Sequence, residues 1–176
     1  GNCALQFYAT KCDSLGNIVW SKEHYGLTGS ATGFFSSLVQ APGNGYVATY
    51  SSLTNGDLDW GILKLDNNGV SQWAKLMDEG ASRDEAYDVV QTIDGGLAVL
   101  GITTNYQGAS LEYKMTLTTF DGSGNRLSYH VYDYFEQLQP RSLTQTADGG
   151  FVLTGSTYGL KTLLVKTDAT GNIQWQ

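Results

Sequence analysis

The sequence predicts an all-β chain of four-stranded antiparallel sheets stacked on one another, and three observations predict it. A turn phrase of the form Asp-x-x-Gly-Asn-x-x-Trp returns four times, a second phrase keeps register with it, and no stretch carries a helical apolar stripe. The first phrase reads Asp13-Ser-Leu-Gly16-Asn-Ile-Val-Trp20, Asp66-Asn-Asn-Gly69-Val-Ser-Gln-Trp73, Asp121-Gly-Ser-Gly124-Asn-Arg-Leu-Ser128 and Asp168-Ala-Thr-Gly171-Asn-Ile-Gln-Trp175. Its glycines are 53, 55 and 47 residues apart, the spacing of one supersecondary unit per repeat. The second phrase is Pro42-Gly-Asn-Gly45-Tyr46, Ile93-Asp-Gly-Gly96-Leu97 and Ala147-Asp-Gly-Gly150-Phe151. Gln40, Gln91 and Gln145 precede its last glycine at one fixed offset.

Each repeat divides into segments A to D. Segment A, Ala86 to Thr92, alternates at period two as a strand requires. The Asp94-Gly95-Gly96 step is a tight hairpin leading into segment B, Gly96 to Thr103. Segment C, in the preceding copy, is Asp59 to Leu65, and the Asp66–Gly69 turn leads into segment D, Val70 to Leu76. In that turn the Asp side chain caps the backbone and the glycine takes the left-handed conformation. A sheet apolar on both faces must stack on neighbours, and radial stacking gives a propeller.

The expected organisation is a partial blade over 1–22 (a C–D hairpin), then blades over 23–77, 78–133 and 134–176. Such an arc would leave an apolar face bare at each end. An excerpt of a longer propeller is expected over assembly with another chain, because two copies would each bring a C–D hairpin and neither its A–B pair. Trp20, Trp73 and Trp175 are expected to pack between blades, burying the indole with its N–H on a backbone carbonyl. Ser128 breaks that pattern. Tyr129 is expected to substitute, at a weaker junction.

Composition excludes several classes. The net charge is −7, and the ten basic residues form no cluster, which argues against nucleic acid and against anionic membrane. No run approaches a membrane span. No Gly-x-Ser-x-Gly elbow or phosphate-binding glycine loop appears, and the glycines are explained by hairpins. Cys3 and Cys12 leave a disulfide open, with metal binding by that pair disfavoured. His24 and His130 fall at segment ends with no ligand spacing and are expected at the surface or rim.

The stretch Asp78 to Glu85 gathers four carboxylates and one arginine between D and A; it is expected to be a solvated loop, with calcium as the sharper alternative. Asp57 and Asp59 form a lesser case. Aromatics gather in the D–A loops: Tyr25, Phe34 and Phe35 in one, Tyr132, Tyr134 and Phe135 in another. These are the candidate ligand or partner contacts, because loops carry function on constant scaffolds. The three glutamines are expected to be buried between blades, satisfying backbone groups.

The stretch Lys64-Leu-Asp-Asn-Asn-Gly-Val-Ser-Gln-Trp73 followed by Gln91-Thr-Ile-Asp-Gly-Gly96 resembles the β-propeller repeats of bacterial secreted and cell-surface proteins. More distantly, the turn leading to Trp resembles the tryptophan-docking segment of quinoprotein propellers. The likeness covers nearly the whole chain and lies in turn and packing residues. It implies export to the surface or medium and a role in adhesion, recognition or scaffolding, with no catalytic set and no cofactor to carry over. The expected function is a non-catalytic interaction module whose partner is another protein or further blades. A glycan-binding propeller is the alternative, and a quinoprotein-like or glycan-cleaving enzyme the more remote one.

Overall fold

The computed structural model describes residues 6–25, 34–41, 43, 45–54, 56–78, 80, 83–107, 110–133, 138–157 and 161–176. Among these the chain is all-β, with no helix. The strands are β1 (Gln6–Cys12), β2 (Ile18–Tyr25), β3 (Phe35–Gln40), β4 (Tyr46–Thr54), β5 (Asp57–Leu65), β6 (Ser71–Met77) and β7 (Arg83–Gln91). They continue as β8 (Leu97–Gln107), β9 (Ser110–Phe120), β10 (Arg126–Tyr132), β11 (Leu138–Gln145), β12 (Phe151–Thr157), β13 (Thr162–Thr167) and β14 (Ile173–Trp175).

Consecutive strands pair antiparallel, giving a hairpin (β1–β2) and three meanders: unit 1 (β3–β6), unit 2 (β7–β10) and unit 3 (β11–β14). Units 1 and 2 are joined into one eight-stranded sheet by a single parallel bridge, from Leu58 at the start of the inner strand β5 to Arg83 on β7. Strand β2 continues through Tyr25, beyond the residue-22 boundary that the sequence suggested. Asp57 and Asp59 lie within β5, and Asp84 and Glu85 within β7, so none of them is a loop residue.

The four Asp-x-x-Gly turns share one geometry. The Asp N–H donates to the carbonyl four residues on and the Gly N–H returns to the Asp carbonyl, as in Asp13 N to Asn17 O at 2.9 Å and Gly16 N to Asp13 O at 3.1 Å. The carboxylate then accepts from the backbone N–H groups two and four residues on, as Asp66 Oδ1 does from Asn68 and Val70 at 2.8 Å each. The glycine holds φ between 73° and 90° in all four copies, where an L side chain is strained. In the second and third copies of the second phrase the middle glycine, Gly95 and Gly149, holds positive φ. Gly95 is at 86°, whereas Gly96 is required because a Cβ there would stand 2.9 Å from Thr92 Oγ1 and closer still to the Phe120 carbonyl.

The core lies between units rather than within one. Val47, Trp60 and Ile62 of unit 1 pack against Ala86, Val89, Leu97, Val99 and Phe120 of unit 2, with Trp60 edge-on to Phe120 at 6.1 Å. Ala98, Leu100, Met115 and Leu117 of unit 2 meet Leu138, Leu143, Phe151, Leu153 and Val165 of unit 3. Ala9 of the hairpin joins Tyr50, Leu63 and Leu65 of unit 1. Alternate residues of one strand therefore serve opposite junctions, which is why β5 is buried on both faces from Asp59 to Leu63.

Candidate functional site

The repeated residues build a joint. Trp20, on β2, lies over Gly69 in the β5–β6 turn of unit 1, where a Cβ would stand 2.7 Å from the indole; its Nε1–H donates to Asn67 O at 3.1 Å. Trp73, on β6, sits the same way over Gly124 in the β9–β10 turn of unit 2, 2.6 Å from a Cβ position there. Lys75, two residues on, donates to Gly124 O at 2.7 Å and Asn125 Oδ1 at 3.1 Å. Only glycine leaves room for a flat ring against the turn. At the third joint the seat over Gly171 is taken by His130, not by Tyr129. A period-two strand returns to the same face after two residues, so His130 stands one step along from Ser128 while Tyr129 points to the opposite face. Tyr132 completes the joint, its hydroxyl donating to Gly171 O at 2.7 Å and its ring stacked near His130 at 12°.

A second device was not visible in the sequence. The residues three before each repeat glutamine are Ser37, Asp88 and Ser142, on the first strands of the three units. Asp88 Oδ1 accepts from Ser37 Oγ at 2.8 Å and from its neighbour Val89 N at 2.9 Å. Its Oδ2 accepts from Ser142 Oγ at 3.1 Å and Leu143 N at 2.9 Å. One carboxylate thus ties β3, β7 and β11 together. The register of each of these strands shifts just before this position, between Phe35 and Ser37, Ala86 and Asp88, and Pro140 and Ser142. The bulge re-aims the side chain toward the neighbouring unit.

Three carboxylates converge elsewhere: oxygens of Asp59, Asp78 and Asp84 all lie within 4.8 Å of one another, with Asp59 and Asp84 buried and Asp78 exposed. Oxygen donors in that arrangement suit a hard divalent cation. Glu85, also buried, pairs with Arg83. The C-terminal half of the acidic stretch, Arg83 to Glu85, is accordingly part of strand β7 rather than a solvated loop, with Asp84 and Glu85 buried and Arg83 bridged to Leu58 of β5.

The loop aromatics separate. Phe34 is exposed and Phe35 half-buried against the hairpin–unit 1 core. Tyr132 is buried in the joint to unit 3 and presents no surface. Tyr134 and Phe135 lie outside the described residues, as does the side chain of Tyr25. Trp175, the third repeated indole, is half exposed.

His24 is buried, contrary to a rim position: it lies in β2 with Nδ1 3.0 Å from Ser71 Oγ, and burial, aided by Lys22, lowers its pKa from the ordinary value. Gln145 bridges two units, accepting from Ile93 N at 2.7 Å and donating to Gly149 O at 3.0 Å, whereas Gln40 is exposed. Cys12 is exposed and free, and Cys3 lies outside the described residues. Beside Gln145 a cleft of about 460 Å³ runs between the hairpin turns of units 2 and 3, lined by Ile93, Asp94, Leu127, Asp148 and Phe151 among others.

No protein-family model matches the chain, and no curated protein matches it.

Proposed function

We propose that the chain is a segment of a β-propeller and acts as a non-catalytic, extracellular or cell-surface interaction module. The observation that carries this reading is the repeated joint: a strand ring of one unit rests on the glycine turn of the next, with apolar faces packed between. Each repeat's distinctive residues thereby hold units side by side, which is the task of a scaffold. On such a scaffold the connections between units vary freely, and they carry the recognition chemistry. Phe34, exposed beside β3, belongs to those connections, and Tyr134 and Phe135 fall in the sequence between β10 and β11. Another protein or further units of the same kind are the expected partners, and no cofactor enters the reading.

Surface plasmon resonance of the purified chain against a panel of extracellular matrix proteins and a glycan array tests it. Binding to a protein ligand, weakened tenfold or more by Phe34→Ala, Tyr134→Ala and Phe135→Ala together, is the expected result. Binding confined to glycans and lost with the same substitutions would establish the carbohydrate alternative. Turnover of glycoside substrates by the pure chain, abolished by Asp84→Asn, would overturn the non-catalytic reading.

A further inference from the structure

We propose that the cleft between units 2 and 3 receives a lysine side chain of a partner protein, with Asp94 as the counter-ion of its ammonium group. Both walls of the cleft come from units packed together in the structure. Its lining is drawn from the first and third turns of the two meanders and the strands beside them. In an antiparallel meander those turns share one end of the sheet, and the connections between units leave from the other. The site is therefore separate from the loop residues named above.

The three repeats differ at one pair of positions. The hairpin between the first two strands of a unit can hold an aspartate, and the last residue but one of the third strand stands beside it. The second-strand partners Val47, Ala98 and Val152 fix that third-strand position as Lys64, Thr119 and Lys166. Unit 3 has the full pair. Lys166 is buried, and its Nζ donates to the two Asp148 oxygens at 2.9 and 3.2 Å and to Thr167 O at 2.7 Å. Unit 1 has the base alone, Lys64, with Gly43 at the hairpin position. Unit 2 has the acid alone. Asp94 stands with Thr119, whose hydroxyl is bonded to Ser128 Oγ at 2.7 Å.

Asp94 makes no ion pair among the described residues. Its carboxylate accepts from the Thr92 hydroxyl and from Gly96 N–H at 3.3 Å, and these bonds hold its pKa below the ordinary value. It is thus fully charged at neutral pH. The cleft it lines has a volume of about 460 Å³ and an apolar floor of Leu97, Phe120 and Phe151, all buried. Ile93 and Leu127 flank it, 74% and 64% exposed. An apolar floor with a carboxylate suits an alkyl stem that ends in a cation. The net charge of −7 favours approach of such a group. Lysine is the occupant rather than arginine, because unit 3 already seats an ammonium against the same aspartate position.

Titration of the purified chain with the peptide acetyl-Leu-Lys-Leu-amide, followed by amide NMR signals, is the test. Saturable shifts are expected at Gly95, Gly96, Leu97 and Leu127. Acetylation of the peptide's lysine Nε, or Asp94→Asn in the chain, should weaken binding about tenfold. Thr119→Lys rebuilds the pair of unit 3 inside unit 2 and should abolish binding, with unchanged circular dichroism. That variant keeps the aspartate, so it decides the matter if Asp94→Asn fails to fold. Absence of saturable shifts in the wild type, equal binding of the acetylated peptide, binding retained by either folded variant, or tighter binding of the arginine peptide would overturn the proposal. None of these outcomes depends on the matrix-protein panel, whose failure would bear on the loop reading alone.

Discussion

The turn glycines show how one backbone demand and one packing demand meet in a single residue. At Gly16 only the first applies, since its φ is 85° and nothing approaches its Cβ position. At Gly69 both apply, because the Trp20 indole lies against it. Gly16→Ala should therefore cost about 1 kcal/mol, the strain of an L residue in the left-handed region, and Gly69→Ala distinctly more. Urea unfolding of both variants measures the difference, and equal costs would remove the indole seat from the account. The aspartates of these turns add a pH dependence. The Asn172 N–H, the Thr170 hydroxyl and the Asn172 amide hold Asp168 down at about 2, and Asn17 and Asn125 lower Asp13 and Asp121 in the same way. A depressed carboxylate stabilises the fold above its unfolded pKa, and that contribution fades as pH falls through the folded value. His24 acts earlier on the descent. Its folded-state pKa lies below the ordinary 6.5, so the unfolded chain takes up the proton first and stability declines as pH drops below that point. His24→Gln should flatten the decline that sets in just below the ordinary histidine value while leaving the deeper acid limb in place, as read by thermal melts across pH.

At the scale of strands and joints, the second and third units meet differently from the others. His130 and Tyr132 take the place that Trp73 and Lys75 hold one junction earlier. An imidazole covers less apolar area than an indole, so this joint contributes less. Ser128→Trp combined with His130→Lys rebuilds the earlier joint and should raise the melting temperature, by about 2–4 °C for each kcal/mol gained. Asp88 works across elements as well. Asp88→Ala removes the acceptors of Ser37, Ser142 and Leu143 N and should cost about 2–3 kcal/mol, whereas Asp88→Asn keeps a carbonyl acceptor and should cost less. The strands, turns and order of segments were legible because turn chemistry and period-two alternation are local. Asp88, the burial of His24 and the convergence of Asp59 with Asp78 and Asp84 were not. Each depends on a bulge or on neighbours about twenty to fifty residues away, and such features leave no mark in a short window of sequence. Tyr129 differs: its position beside Ser128 suggested a substitute, but strand alternation, a local rule, gives the seat over Gly171 to His130.

Among the described residues the apolar area is divided among three joints of one plan, the third with His130 in place of an indole. A chain of this kind gains stability from nearest-neighbour contacts, so its unfolding should be stepwise wherever one joint is weakened. The most direct measurement is an NMR comparison of the four turn glycines. The α-protons of Gly69, Gly124 and Gly171 should show ring-current shifts and cross-peaks to Trp20, Trp73 and His130, with Gly16 alone at ordinary values. Four glycines with alike, unshifted signals and no cross-peaks to those rings would contradict the stacked arrangement from which the rest is built.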